Sequence, residues 1–162
     1  MSTTIQAPAG VESKELLALR CYGPRIRKPV FSVLRQLDLE PADSAMIPAE
    51  WDDQQVVAAV RDRQADVLLC PYNTLRLQDG STTNGLVLLQ KIRKQCPQLA
   101  GLPTLMPVSL FSAVSFDREW RKGTPEGPVD DALRDDVLVI PEQELKDQAA
   151  VIERVRQHVA RV

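Results

Sequence analysis

Two stretches decide the fold: Ala65-Asp-Val-Leu-Leu-Cys70, and Gly85-Leu-Val-Leu-Leu-Gln-Lys-Ile-Arg93 after a polar loop. The first is a short continuous apolar run, the mark of a strand buried on both faces. The second has helical period, with Leu88, Leu89, Ile92 and Cys96 on one face, and Pro97 ends it. Between them Pro71 to Asn84 carries Asp79-Gly80, Ser81, Thr82 and Thr83, the composition of a loop. Strand, loop and helix in that order make one βα unit.

The same unit recurs on either side. Upstream, Leu16 to Leu19 is an apolar strand leading to Pro24. Pro24 suits the first turn of a helix whose stripe is Ile26, Val30, Val33, Leu34 and Leu37. Ser44 to Ile47 is a weak second strand. Asp52 or Asp53 caps the next helix, with Val56, Val57 and Val60 inward. Downstream, Leu102 to Leu110 is an apolar strand interrupted by Pro103 and Pro107. Asp136 to Ile140 is another strand. A last helix over about Glu142 to Ala160 has Leu145, Ala149, Ile152, Val155 and Val159 as its stripe. Between Ser112 and Ala132 the pattern fails, and Gly123, Pro125, Gly127 and Pro128 predict a loop or a broken fourth helix.

Five βα units predict an α/β chain, a parallel sheet covered by helices on both faces. With right-handed crossovers this is a three-layer flavodoxin-like fold of five strands, order 2-1-3-4-5, whose fourth helix is irregular or missing. The 162 residues fit one domain, read as a disordered tail over 1–12 and a folded unit over 13–162. The net charge of −2 gives no electrostatic footprint for nucleic acid. No apolar run approaches the length of a membrane span, and Met1 to Gly10 lacks the apolar core of a signal peptide. Cys21, Cys70 and Cys96 are far apart and form no metal-binding spacing, so reduced thiols in the cytoplasm are expected.

The chain resembles the receiver domains of bacterial two-component response regulators. Arg20-Cys-Tyr-Gly-Pro-Arg-Ile-Arg27 is similar to the family's V-D-D-D-P-x-I-R, keeping Pro24, Ile26 and Arg27. Ala65 to Cys70 resembles P-D-L-V-L-L-D, and Gly85 to Arg93 resembles G-x-x-L-L-x-x-I-R. Leu102 to Ser109 resembles the fourth strand, and Val137-Leu-Val-Ile-Pro-Glu142 resembles Y-L-x-K-P-F. The resemblance implies a fixed set of site positions. Cys21 and Tyr22 stand where the acidic pair belongs, Cys70 at the phosphoacceptor, and Ile140 at the lysine. Ser109 is the candidate hydroxyl residue.

A receiver's carboxylate accepts a phosphoryl group whose charge is neutralised by Mg²⁺ on hard oxygen ligands and by the lysine. Cys21 and Tyr22 cannot replace that oxygen set, Cys70 cannot form an acyl phosphate, and Ile140 has no charge. The expectation is a degenerate, non-enzymatic pseudo-receiver with no metal and no cofactor, acting through a protein partner in signalling. Asp79 is the acid that would have to substitute if phosphorylation persisted. The 112–132 segment and the outer face of the last helix are the expected partner surface, with Phe116 and Trp120 as anchors. A homodimer through 112–160 is a further expectation.

Other chemistries rank below this one. A small anionic ligand, nucleotide or flavin at the strand ends would use the helix start after Gly23 with Arg20, Arg25, Arg27 and Lys28. A cysteine redox sensor is the other alternative. His158, read as a solvated side chain near a helix end, lies opposite the strand ends and forms no dyad with Cys21 or Cys70. Two geometric expectations complete the reading: a cis Ile140–Pro141 bond, implied by the resemblance, and Cys21 beside Cys70 at the ends of adjacent strands.

Overall fold

The computed structural model describes residues 14–20, 24–41, 45–48, 50–77 and 79–160. Leu16–Leu19 (β1) leads to helix Pro24–Gln36 (α1), then Met46–Ile47 (β2), helix Asp53–Arg63 (α2) and Val67–Leu69 (β3). A small hairpin, Leu75–Arg76 (β4) and Thr82–Thr83 (β5), precedes helix Gly85–Gln95 (α3). The chain continues through Thr104–Val108 (β6), helix Ala113–Lys122 (α4), short helix Asp131–Asp136 (α5), Val137–Pro141 (β7) and helix Gln148–Val159 (α6).

Five strands form one sheet in the order β2-β1-β3-β6-β7, and every pairing in it is parallel. This is the expected 2-1-3-4-5 arrangement, with β6 and β7 as fourth and fifth strands and β4–β5 paired separately. Alternation along each strand divides the core in two. Leu17, Leu19, Leu68, Cys70, Met106 and Val108 face the layer with α2, α3 and α4. Leu16, Ala18, Val67, Leu69, Leu105 and Ile140 face the layer with α1 and α6. Strands buried on both sides read as unbroken apolar runs, which is why Leu16 to Leu19 shows no alternation in sequence.

The structure departs from the sequence reading in four described places. The fourth helix is present: Ala113–Lys122 is regular, and the irregularity is confined to the turn behind it. That turn holds its form through Gln90 of α3, which donates to the carbonyls of Gly127 and Pro128 and accepts from Thr124. Gly123 and Gly127 both take positive φ there, a conformation open to glycine. Pro71 to Asn84 is a hairpin, with Ser81 donating from backbone and hydroxyl to the Asp79 carboxylate at its tip.

The Ile140–Pro141 bond is not cis, since no described residue has a cis peptide. Instead β7 runs extended through Pro141, which pairs with Val108. His158 is buried rather than solvated, with Nε2 at 2.7 Å from the Asp136 carbonyl oxygen. It lies on the same face of α6 as Val151 and Val155, and α6 itself begins at Gln148 after a 3₁₀ turn over Glu142–Lys146. The expected tail over 1–12, and with it Cys21 and Tyr22, lies outside the described residues.

Candidate functional site

In a parallel α/β sheet the functional end is where strands finish and the following helices begin. β3 finishes at Leu69, but its pairing continues. The Cys70 N–H donates to the Leu105 carbonyl at 2.8 Å, and the Tyr72 N–H donates to that of Pro107 at 2.9 Å. The chain therefore stays on the sheet to Tyr72, and Cys70, Pro71 and Tyr72 are all buried. The Cys70 thiol donates to the Gly85 carbonyl at 3.5 Å. Gly85 itself is pressed onto the strand end: a β-carbon there would stand 2.4 Å from the Pro71 carbonyl oxygen and 3.3 Å from the Cys70 sulfur. Only glycine admits this approach.

Two polar clusters flank that contact. In the first, the buried Asp53 in the first turn of α2 receives Arg20 Nη1 at 2.7 Å and Lys91 Nζ at 2.8 Å. Thr83 of β5 adds a hydroxyl at 2.9 Å. Arg20 also donates to the Trp51 carbonyl at 2.7 Å. Burial alone raises the Asp53 pKa, but the hydrogen bonds from Lys91, Arg20 and Thr83 outweigh it and hold the carboxyl below its ordinary value. Asp52, not Asp53, caps α2, through a reciprocal pair with Gln55.

In the second cluster the Tyr72 hydroxyl donates to Glu119 Oε1 at 2.6 Å and lies 3.1 Å from Ser115 Oγ. Asn84 donates to the same Glu119 oxygen at 2.9 Å, while its own Oδ1 accepts from the Val87 N–H as the cap of α3. Burial, then the Glu119 carboxylate, push the Tyr72 hydroxyl up to about 12. One carboxylate thus ties the end of β3, the start of α3 and the middle of α4.

Of the positions named by the resemblance, Cys21 and Tyr22 lie outside the described residues. Cys70 faces the α2–α4 layer, whereas Ile140 is packed in the α1–α6 layer on the other side of the sheet. Ser109 is half-buried and donates to Ser112 Oγ at 3.2 Å. Phe116 is buried rather than displayed, edge-on to Tyr72 and stacked at 5.3 Å on Trp120. Trp120 is half-buried against the core and covered by Arg134, whose guanidinium carbon is 5.8 Å from the ring centre.

Sequence reasoning passed over the apolar residues displayed by the 3₁₀ turn before α4 and by its first turn: Leu110, Phe111 and Val114, exposed by 51%, 83% and 81%. Their signal was helical spacing, because the step from Phe116 to Trp120 turns Val114 outward. It named Asp53 only as a possible helix cap, although its steps to Val56, Val57 and Val60 place it on the buried face.

Comparison with solved structures settles the fold. A CheY-like response regulator receiver domain from Methanospirillum hungatei superposes with a TM-score of 0.50 at 15% identity, covering 91% of this chain and 94% of that one. The fold is that of a receiver domain. The receiver domain of NtrX from Brucella abortus is similar at 25% identity, with a TM-score of 0.46 and coverage of 88% and 98%. The chain spans 28% of the length of a longer NtrX structure from the same organism, with 24% identity and a TM-score of 0.48. No protein-family model matches the sequence, and no curated protein matches it significantly.

Among the described residues the strand ends do not offer the hard oxygen set that a receiver's Mg²⁺ takes. A thiol occupies the end of β3, and the carboxylate nearby, Asp53, is already held by two cations. Among the described residues no group of three or more His, Cys, Asp or Glu side chains is placed to hold a metal.

Proposed function

We propose that this receiver-fold chain is a pseudo-receiver, a non-catalytic module that works independently of phosphorylation, through a protein partner, in bacterial cytoplasmic signalling. The observation that carries this reading is the state of the β3 end. Cys70 is buried there with its thiol on the Gly85 carbonyl, and Gly85 is packed against Pro71 without space for a methyl group. At the position of Cys70 a phosphoryl group has no carboxylate to join.

The Asp53 cluster supports the same reading. In a phosphorylatable receiver negative charge awaits neutralisation; here Arg20 and Lys91 supply it permanently. The partner surface is assigned to the 112–132 segment with the outer face of α6, and self-association through 112–160 is the same surface used between copies. Among the described residues no helix is long and apolar enough to cross a membrane.

Incubation with acetyl phosphate or beryllofluoride and Mg²⁺ tests the proposal. The expected result is an unchanged intact mass and an unchanged melting curve. Stoichiometric phosphorylation of any aspartate, Asp79 included, overturns it. Affinity capture with the full chain, read by mass spectrometry, tests the other half: a module of this kind retains a protein partner at stoichiometric yield.

A further inference from the structure

We infer that the cleft between the β4–β5 hairpin and the start of α2 is a docking site for an extended, arginine-bearing segment of another protein. The inference rests on the protein-interaction reading above and gives it a second surface with its own chemistry.

The cleft has a volume of about 390 Å³, within the range of sites that hold a ligand. Its floor is apolar. Leu75 and Leu77 are two apart on the β4 arm of the hairpin, so both side chains leave the same face, and both line the cleft. Each is half-buried, and neither packs into the core on either side of the sheet. Folding leaves this pair without a full apolar cover.

The rim is acidic. Glu50 and Asp52 stand on the α2 side and Asp79 on the hairpin side, all three exposed. Oδ1 of Asp52 accepts from the Gln55 N–H at 2.8 Å, and Oδ1 of Asp79 accepts from the Ser81 N–H at 2.9 Å. Among the described residues the Oδ2 of each, and the whole Glu50 carboxylate, have no hydrogen-bond or ion-pair partner. Arg76 also lines the cleft but forms no ion pair with these acids. Three carboxylates thus face one guanidinium.

The two walls are fixed to each other. Asp53, next to Asp52, accepts from the Thr83 hydroxyl of β5 at 2.9 Å. The hairpin tip closes through the Leu77 N–H on the Ser81 carbonyl at 2.8 Å. The cleft is therefore preorganised, which lowers the entropy cost of binding.

Apolar floor and acidic rim together select the occupant. A divalent cation takes a cage of oxygens, and among the described residues no three acidic, His or Cys side chains are placed to hold one. An arginine lays its methylene stem on apolar surface and carries its charge to the edge. Its flat fork of N–H donors takes two carboxylate oxygens at once, which an ammonium does not. Gln55 favours a peptide over a free cation. Its Oε1 accepts from the Asp52 N–H, which leaves the amide N–H groups for a backbone carbonyl. An anionic membrane is repelled by the same three carboxylates. The cleft shares no residue with the 112–132 segment, so substitutions separate the two surfaces.

The probe is a fluorescein-labelled peptide of alternating Arg and Val, titrated with the full chain at low and high salt and read by anisotropy. Its control carries citrulline, the neutral isostere, in place of each Arg. Saturable binding weakened by salt is expected, with the citrulline peptide about tenfold weaker or more, as the loss of charge-assisted hydrogen bonds implies. Glu50→Gln with Asp79→Asn should weaken the Arg peptide by a similar factor and flatten its salt dependence. Asparagine keeps the bond from Ser81, so the melting temperature should match the parent and lost binding is not lost folding.

Absence of saturation with the parent overturns the inference, as does equal binding of the Arg and citrulline peptides or binding indifferent to the double variant. Arginine amide that competes as well as the peptide also overturns it, because the cleft then takes a small cation rather than a protein segment. So does a dimer in light scattering that dissociates in the double variant, which assigns the cleft to a second copy. Partner capture by the parent without any binding of the Arg peptide removes this cleft and leaves the interaction reading intact. Failure of the parent to capture a partner removes that reading itself.

Discussion

Cys70, Arg20 and Asp53 at the strand ends are all buried, whereas Leu110, Phe111 and Val114 on the α4 side stand 51–83% exposed. The two regions follow the same sheet edge and use opposite residue types in opposite directions. At the strand ends charged groups are turned inward and paired with one another, so they are expensive to disturb. On α4 apolar groups are turned outward, so they contribute little to folding and much to whatever covers them. In a phosphorylatable receiver the first region receives the signal and the second passes it on. On the pseudo-receiver reading proposed above, the first is a fixed part of the core and the second is left to meet a partner. If this contrast is right, substitutions at the strand ends should cost stability, and those on the α4 face should not.

The largest effect should come from Asp53→Asn. Asparagine keeps the shape and the Thr83 bond but leaves Arg20 and Lys91 without counter-charge. Lys91 is partly exposed and can turn to water; Arg20 is buried and cannot. Removing one partner of a buried pair costs about 3–5 kcal/mol, and urea unfolding should show a loss of that order. The paired change Arg20→Met with Asp53→Leu should recover most of it, because the cost lies in the orphaned charge. The pH dependence has a definite sign. A carboxyl held below its ordinary value of 3.8 adds stability above that pH and loses it as the pH falls through the lower, folded value. Parent protein should therefore lose stability below about pH 4 more steeply than Asp53→Asn.

Next is Gly85→Ala. The new methyl group meets the Pro71 carbonyl oxygen at 2.4 Å, and backbone rather than a flexible side chain must yield. A loss of about 2 kcal/mol in thermal or urea unfolding is expected for such overpacking. A stability equal to the parent's would show that α3 does not sit as tightly on the β3 end as the structure has it, and the reading of that end as a fixed part of the core would lose its main support.

How far these regions could be read in advance depended on what kind of signal each leaves. The sheet order and the two-faced strands were legible because runs such as Val67 to Leu69 and stripes such as Val30, Val33 and Leu34 are fixed by burial period alone. The place of Cys70 at the close of the third strand's run was legible for the same reason: it sits at a countable position. That Ile140 lies on the other face of the sheet from Cys70 was not legible, because motif order does not say to which face a side chain points. The hairpin from Leu75 to Thr83 was hidden because its two-residue strands are too short for any period. Phe116 and Trp120 were taken for surface anchors because the glycines and prolines at 123–128 suggested a loop. In fact Gln90 ties that turn down, and a regular helix precedes it. Polar clusters such as Arg20–Asp53–Lys91 join residues far apart in the chain, and nothing local announces them.

Tyr72→Phe should have a smaller effect. It removes one donor from Glu119, which keeps Asn84, and a loss of about 1 kcal/mol is expected. The alkaline limb separates this from simple loss of packing. A tyrosine whose pKa rises from 10.0 to about 12 on folding contributes stability below pH 10 that is lost as the pH climbs toward 12. The parent should lose stability across that window, and Tyr72→Phe should lose less. Absorbance of phenolate that appears for Tyr72 near pH 10 in the folded protein would mean that the α4 anchor is open.

Val114→Ala should have the smallest effect of all, and its smallness is the point. Val114 is 81% exposed in the first turn of α4, so truncation removes almost no buried surface. Alanine is also the better helix former, by about half a kcal/mol or less. The expected unfolding free energy is equal to the parent's or a few tenths of a kcal/mol higher. The comparison between regions turns on this result. A buried valine of the same sheet edge, Val108, packs against the α2–α4 layer, and its truncation to alanine should cost about 2 kcal/mol. If Val114→Ala costs as much as Val108→Ala, then the start of α4 is covered in the folded chain, and the face assigned to a partner belongs to the core. If the two differ as expected, Val114 sits on a surface that folding does not need and that stays open to a partner.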